Sequence, residues 1–293
     1  MTIKQLIFTM FLLSVVISKP SFALGKLGHQ MVCQLAFEYL PDAKQAKVTA
    51  LLNAIPKNHQ ELINSYNYQK KEAVITFANA CTWADAVKRL DEFKTFGAWH
   101  YMNVPRDHLK ITAADCEQDC LPRAILHHQN ILMKSSKYSH WQQAQALLFL
   151  GHWLGDIHQP LHISFSDDLG GNKVKFSHLD TKCSNLHWYW DQCILYKGKN
   201  SKAKWLTLLK AQWSQQTQAP FQTAQVWQWA DESFQIVKSA DFNYCKLDGQ
   251  GNCQKPADKI KLPSGYLKQY QGVIEQRLLQ AAQRLNEVLT ASL

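Results

Sequence analysis

Gly151-His152-Trp153-Leu154-Gly155-Asp156-Ile157-His158-Gln159-Pro160-Leu161-His162 is the stretch on which the reading of this chain turns. It closes a run, 139–157, whose apolar residues recur at helical spacing. His152 and Asp156 stand four apart, so on a helix they share one face and reach one point in space. Pro160 cannot continue the helix, and the turn it forces brings His162 back toward the same point.

Working outward, Asn185-Leu186-His187-Trp188-Tyr189-Trp190-Asp191 repeats the His/Asp spacing of four on a second helical run, 185–196. Either pair alone reads equally well as a surface ion pair. Two pairs together with His162 supply imidazole nitrogens and carboxylate oxygens, a donor set that suits zinc in a helical scaffold. Further helical runs are expected at 30–40, stopped by Pro41, and at 42–55, with Asp42 as N-cap and Pro56 as stop. Others fall at 122–134, 205–215, 221–238 and 264–289. The expected fold is therefore mostly α, a helical bundle with long loops and at most a short β-hairpin. Residues 91–121 and 164–184 read as irregular, and Lys173-Val174-Lys175-Phe176 after the Gly170-Gly171-Asn172 turn shows a short strand alternation. Loops of that length carry function or are stapled.

The N-terminal segment reads as an address. Lys4, an apolar run over 6–17, Lys19-Pro20 and Ser21-Phe22-Ala23 form a secretory signal with cleavage after Ala23. An uncleaved anchor helix is the other reading. No later segment is long and apolar enough for a membrane helix. Residues 24–293 are expected to form one domain, since no linker, repeat or charge block divides them. The 32 basic and 23 acidic residues give +9, and loss of Lys4 and Lys19 with the signal lowers that to +7. Such a charge favours a polyanion, either nucleic acid or an anionic lipid surface. All eight cysteines lie past residue 23 and none forms a CxxC pair. An even set in an exported chain implies disulfides in a periplasmic or extracellular setting, with 105 pairings open.

Three further pieces complete the pattern: Leu24-Gly25-Lys26-Leu27-Gly28-His29, Cys81-Thr82-Trp83-Ala84-Asp85-Ala86-Val87-Lys88, and Trp99-His100-Tyr101-Met102-Asn103. With these, the sequence closely resembles the zinc-dependent single-strand-specific nucleases of the mung bean type, which share a fold with the zinc phospholipases C. The resemblance implies three Zn2+ ions. One would be held by Asp85, His100, His152 and Asp156, a second by His162, His187 and Asp191. The third would take His29, Asp156 and the main-chain amino and carbonyl groups of Leu24, where the family has tryptophan.

It also implies hydrolysis of single-stranded DNA and RNA to 5′-phosphate products, with 3′-nucleotides as further substrates and no stable protein partner. A phospholipase C acting on lipid headgroups is the alternative enzyme, and a non-enzymatic zinc-binding or adhesive protein a third reading. Asp85 is expected to orient or deprotonate the attacking water, and Lys88 to hold a phosphate oxygen. Tyr101 and Asn172 are expected to contact the base, although a core position and an ordinary turn explain them as well. Asn103 replaces the acidic residue with which the family commonly reads a base. The resemblance suggests a Cys33–Cys81 bridge. Cys116/Cys120 and Cys245/Cys253 are close enough in sequence for local bridges, leaving Cys183/Cys193. His158, between two expected ligands, is given an outer orienting role. His59, His108, His127, His128, His140 and His178 have no partner at ligand spacing.

Overall fold

The computed structural model describes residues 24–175, 182–197, 200–213, 221–242, 244–254, 259–260, 262 and 265–293. The expected signal segment 1–23, Phe176, His178, Gln215 and Ser264 lie outside them. Within them the chain is mostly helical. The helices used below are α1 Gly25–Glu38, α2 Asp42–Asn53, α3 Lys57–Tyr66, α4 Phe77–Ala80, α5 Trp83–Val87, α6 Leu121–Met133, α7 His140–Asp156, α8 Leu186–Trp188, α9 Ile194–Lys197, α10 Lys202–Trp213, α11 Gln225–Lys238 and α12 Tyr266–Ser292. Among the described residues no helix is long and apolar enough to cross a membrane.

The centre of the bundle is α7. Ser139 and Gln142 form a reciprocal capping box at its start, which satisfies two N–H groups that a helix end otherwise leaves bare. From Leu147 onward every residue of α7 is buried, because α1, α2, α5, α6 and α12 all pack on it. A helix apolar on all sides is stable only in that position. His152 and Asp156 are thus carried into the core by a helix whose second half is buried on all sides. The helix stops at Asp156, short of Pro160, as the restriction on residues before proline requires.

Several boundaries differ from expectation. α1 begins at Gly25, so His29 lies inside the first helix instead of ahead of it. Pro41, in extended conformation, caps α2, and Asp42 is its first residue; there its carboxylate meets the positive end of the helix dipole. α3 lies where no helix was expected. The irregular segment 91–121 contains a 3₁₀ helix, Asp91–His100. The small sheet is parallel: β1 Met102–Val104 pairs with β2 Ile163–Phe165. Its strands are joined through α6 and α7, the long crossover that parallel pairing needs. Where a hairpin was expected, the described residues show a lone bridge, Lys175 to Asn185. Between α8 and α9 the chain widens into a π-helical turn, Tyr189–Cys193, that contains Asp191. Such bulges recur at functional sites.

Four disulfides tie these parts together: Cys33–Cys81, Cys116–Cys120, Cys183–Cys193 and Cys245–Cys253. All four are the pairings set out above. The first clamps α1 to the segment leading into Asp85.

Candidate metal centre

Asp156 is the hub of the site. Fully buried at the end of α7, it points Oδ2 at His100 Nδ1 (3.1 Å) and His152 Nε2 (3.3 Å), and Oδ1 at His29 Nε2 (3.3 Å). The rings of His29 and His152 stack at 3.8 Å between centroids. That approach needs a glycine, since a Cβ on Gly155 would lie 2.6 Å from His29 Nδ1. Leu24 is only 2% exposed and packs onto the same face, within 2.5 Å of where a Cβ on Gly28 would stand. Leu24 is therefore well packed against Gly28 and Gly155.

Asp85 enters from α5. Its Oδ1 accepts from Lys88 Nζ at 2.8 Å and its Oδ2 from Tyr66 Oη at 3.3 Å. Burial alone would raise its pKa, but Lys88, His152, His100 and His29 outweigh burial and hold it well below the usual carboxylate range. A second cluster lies beyond the end of α7. His162 Nε2 is 3.4 Å from Asp191 Oδ1, and His187 Nε2 is 3.4 Å from Asp191 Oδ2.

Among the described residues, three buried groups have ligand atoms close enough to share an ion: His29/Asp85/His152, His100/His152/Asp156 and His162/His187/Asp191. The eight expected side-chain ligands are all there and nothing else is. A metal also accounts for what is otherwise anomalous. His29 Nε2, His152 Nε2, Asp156 Oδ1, His162 Nε2, His187 Nε2 and Asp191 Oδ2 are buried without a hydrogen-bond partner. Each such atom costs desolvation free energy unless something answers it.

The opposite ring nitrogens are engaged. Nδ1 of His152, His162 and His187 donates to the carbonyls of Cys81 (2.8 Å), His100 (2.5 Å) and Gly170 (2.7 Å). This fixes the tautomer and leaves Nε2 as the donor atom for a metal. Burial pushes His100 down to about 4 against the pull of Asp156, which keeps its imidazole neutral, the ligating form.

Two supports were missed in the sequence. Gln159 Nε2 donates to Asp191 Oδ1 at 2.6 Å while its Oε1 accepts from Leu161 N. Gln159 takes the orienting role expected of His158, which faces the other way, onto Leu154 and Arg284. Asp168 accepts from Gly171 N (2.7 Å), Tyr244 Oη (2.5 Å) and Arg106 Nη2. It thereby holds the Gly-Gly turn whose carbonyl orients His187. The Asp-Leu-Gly-Gly turn was the available signal for Asp168; nothing local announced Gln159 beyond its place between ligands.

Of the other expected contacts, Lys88 lies beside Asp85 with its side chain 15% exposed. Tyr101 is 44% exposed and so is not core. Asn172 donates its amide to Leu169 O at 2.9 Å, closing its turn. His59 and His128 are core residues partnered by Trp83 and Ala124, and His108 pairs with Asp115. A cavity of about 950 Å³ beneath the 244–252 loop contains none of the expected site residues.

The fold and site define a helical protein with a buried, multi-lobed histidine–carboxylate centre built to hold metal ions. This chain belongs to the S1/P1 nuclease family, whose model matches residues 24–293. It is 34% identical over 177 residues to Endonuclease 3 of Arabidopsis thaliana, covering 58% of this chain and 54% of that protein. It is 27% identical over 180 residues to Nuclease S1 of Aspergillus oryzae, covering 60% and 55%, and 27% identical over 172 residues to Nuclease P1 of Penicillium citrinum, covering 57% and 56%. The matched part of the chain spans little more than half the length of these relatives.

Proposed function

We propose that residues 24–293 act as one exported domain that hydrolyses phosphodiester bonds of single-stranded DNA and RNA to 5′-phosphate products and also dephosphorylates 3′-nucleotides, using three zinc ions. The observation that carries this reading is the division of Asp156, whose two oxygens face two different sets of buried, otherwise unpartnered imidazole nitrogens. Asp85, His100, His152 and Asp156 are assigned to one ion, and His162, His187 and Asp191 to another. His29, Asp156 and the amino and carbonyl groups of Leu24 are assigned to the third. Bound zinc supplies Lewis-acid charge against the phosphate and makes water acidic enough to attack near neutral pH.

Asp85 orients the attacking water. Its depressed pKa makes it a weak base, so orientation is the role its surroundings favour. Lys88 holds a non-bridging phosphate oxygen as a point charge, the use to which a lysine suits itself. Tyr101, exposed beside the ligand His100, offers its face to an unpaired base, which a duplex would not present. The Gly170-Gly171-Asn172 turn lines the same base, with the Asn172 amide fixed in the turn and its carbonyl left to read.

Export follows from cleavage after Ala23, which frees the Leu24 amine and makes signal removal a step in building the site. The test offers mature protein single-stranded DNA, duplex DNA, RNA and phosphatidylcholine, with and without chelator. Chelator-sensitive cleavage of the single strands alone is expected. Cleavage of lipid but not nucleic acid overturns the substrate, and chelator-insensitive cleavage overturns the zinc chemistry. An extra alanine before Leu24 should cost one zinc and most activity; unchanged metal content rules the terminus out as a ligand.

A further inference from the structure

Beside the metal centre lies a lysine–tyrosine cluster that the reading above does not use. Lys26, in the first turn of α1 and two residues after Leu24, places its ammonium 3.7 Å from the ring centroid of Tyr68 and 4.7 Å from that of Tyr66. It also donates to the Tyr66 carbonyl at 2.7 Å. Tyr66 reaches inward, its hydroxyl bonded to Asp85. Tyr68, two residues on, reaches outward and is 87% exposed even with Lys26 over one face. Its other face is therefore open to solvent. Tyr196, 53% exposed, is a further uncovered ring in the described chain.

An exposed aromatic ring in solvent is ordinarily mobile, but this one is mounted on a rigid base. Tyr68 has φ of +57°, a left-handed conformation that a bulky residue seldom adopts unless its surroundings impose it. Those surroundings are the buried Asn67, whose amide donates to Ile63 O and to Thr82 Oγ1 (both 2.8 Å) and whose carbonyl accepts from Gln30 (2.8 Å). On the far side, Gln69 N donates to Asn64 O at 2.8 Å. Thr82 is the N-cap of α5, the helix that carries Asp85. The same hydrogen bonds thus fix both the candidate catalytic carboxylate and the backbone that presents Tyr68. Holding a ring in place beforehand removes the ordering cost of binding to it.

We infer that Tyr68, backed by Lys26, is a second base-stacking subsite, which receives an unpaired base next to the nucleotide held at the metal centre. The inference rests on the nuclease reading above. Stacking suits any base because every base has a π face. Lys26 has three N–H groups and uses one on Tyr66, so it also serves the phosphate between the two nucleotides. The subsite demands a single strand, since in a duplex that face is covered.

The test compares wild type, Tyr68→Ala and Tyr68→Trp on a single-stranded oligonucleotide and on a 3′-mononucleotide, the latter too short to reach Tyr68. Tyr68→Ala should raise KM for the oligonucleotide about tenfold, the scale of one lost stacked base, with kcat and the mononucleotide reaction unchanged; Tyr68→Trp should restore it. An abasic site scanned along the oligonucleotide should reproduce that loss in wild type at one position and add nothing to it in Tyr68→Ala. An unchanged oligonucleotide KM, equal losses on both substrates, or additive abasic losses would each overturn the subsite while leaving the nuclease intact. A wild type that cuts no oligonucleotide overturns both.

Discussion

Two faces of one turn, residues 156–162, use the same residue types to opposite ends. Toward α1 and the π-helical segment, Asp156 and His162 face His29, His100, His152 and Asp191, and six of the atoms there, His29 Nε2, His152 Nε2, Asp156 Oδ1, His162 Nε2, His187 Nε2 and Asp191 Oδ2, are buried without a hydrogen-bond partner. Toward α11 and α12 the turn is saturated. His158 Nδ1 donates to Leu154 O at 2.7 Å and its Nε2 accepts from Arg284 at 2.8 Å. Arg277 donates to His158 O, to Ser233 Oγ and to Glu232, and Arg284 binds the same carboxylate through both terminal nitrogens. Ser233 in turn donates to Ile157 O. His158, Arg277 and Ser233 are as deeply buried as Asp156 and His162, so burial alone does not mark the site. What differs is whether each polar atom is answered from within the protein, and the side with unanswered atoms is the one proposed above to hold metal.

Substitutions on the two faces should separate cleanly. The largest effect is expected from His152→Ala, which removes a ring common to two of the ion-sharing groups; nuclease activity should fall on the order of a thousandfold, beyond the ~10–100-fold cost of an outer-shell partner. Residual activity near wild type would break the comparison. Gln159→Leu takes only the support of Asp191, so zinc affinity measured by chelator competition should drop ~10–100-fold with the melting temperature nearly held.

On the saturated face, Arg277→Met should leave zinc content untouched and cost about 2 kcal/mol of stability, a fall in Tm of roughly 4–8 °C. Loss of zinc from that variant would mean the two faces are not separate. A separate effect is expected in the pH response. Burial holds His128 down to about 3, against an ordinary 6.5. Between those values the unfolded chain binds a proton that the folded one does not, so this group makes stability fall on acidification from about 6.5 toward 3. His128→Gln should flatten the dependence of unfolding free energy on pH by up to one proton, read from denaturant titrations over that window; an unaltered slope would contradict it.

The same contrast explains what was legible in the sequence. Spacing of four within a helix is local, so His152/Asp156 and His187/Asp191 could be paired by inspection, and Pro160 announced the turn to His162. His29, Asp85 and His100 come from three separate segments that meet only because the Cys33–Cys81 bridge and the packing of α1 and α5 on α7 bring them together. The ligand roles proposed for them rest on resemblance and not on spacing. His158 was misplaced because nothing in its neighbourhood tells which way a ring faces when the decisive partners, Arg277 and Arg284, lie more than a hundred residues away. The parallel pairing of β1 with β2 was hidden for the same reason: three-residue strands have too short a pattern to read, and their register is set by the crossover. Helices α6 and α7 were legible to within a residue at each end, while α11 starts four residues after the expected run and α12 ends three residues beyond it, as long periodic segments with uncertain ends should be.

The central claim is that the unpartnered atoms around Asp156 are metal ligands shared between two ions, and zinc counting tests it most directly. Elemental analysis of the purified mature chain, by mass spectrometry, should give three zinc ions per molecule, and Asp156→Asn, which keeps the shape and removes the charge, should give no more than one. A wild type that carries no zinc, or an Asp156→Asn variant that keeps all three, would contradict the account.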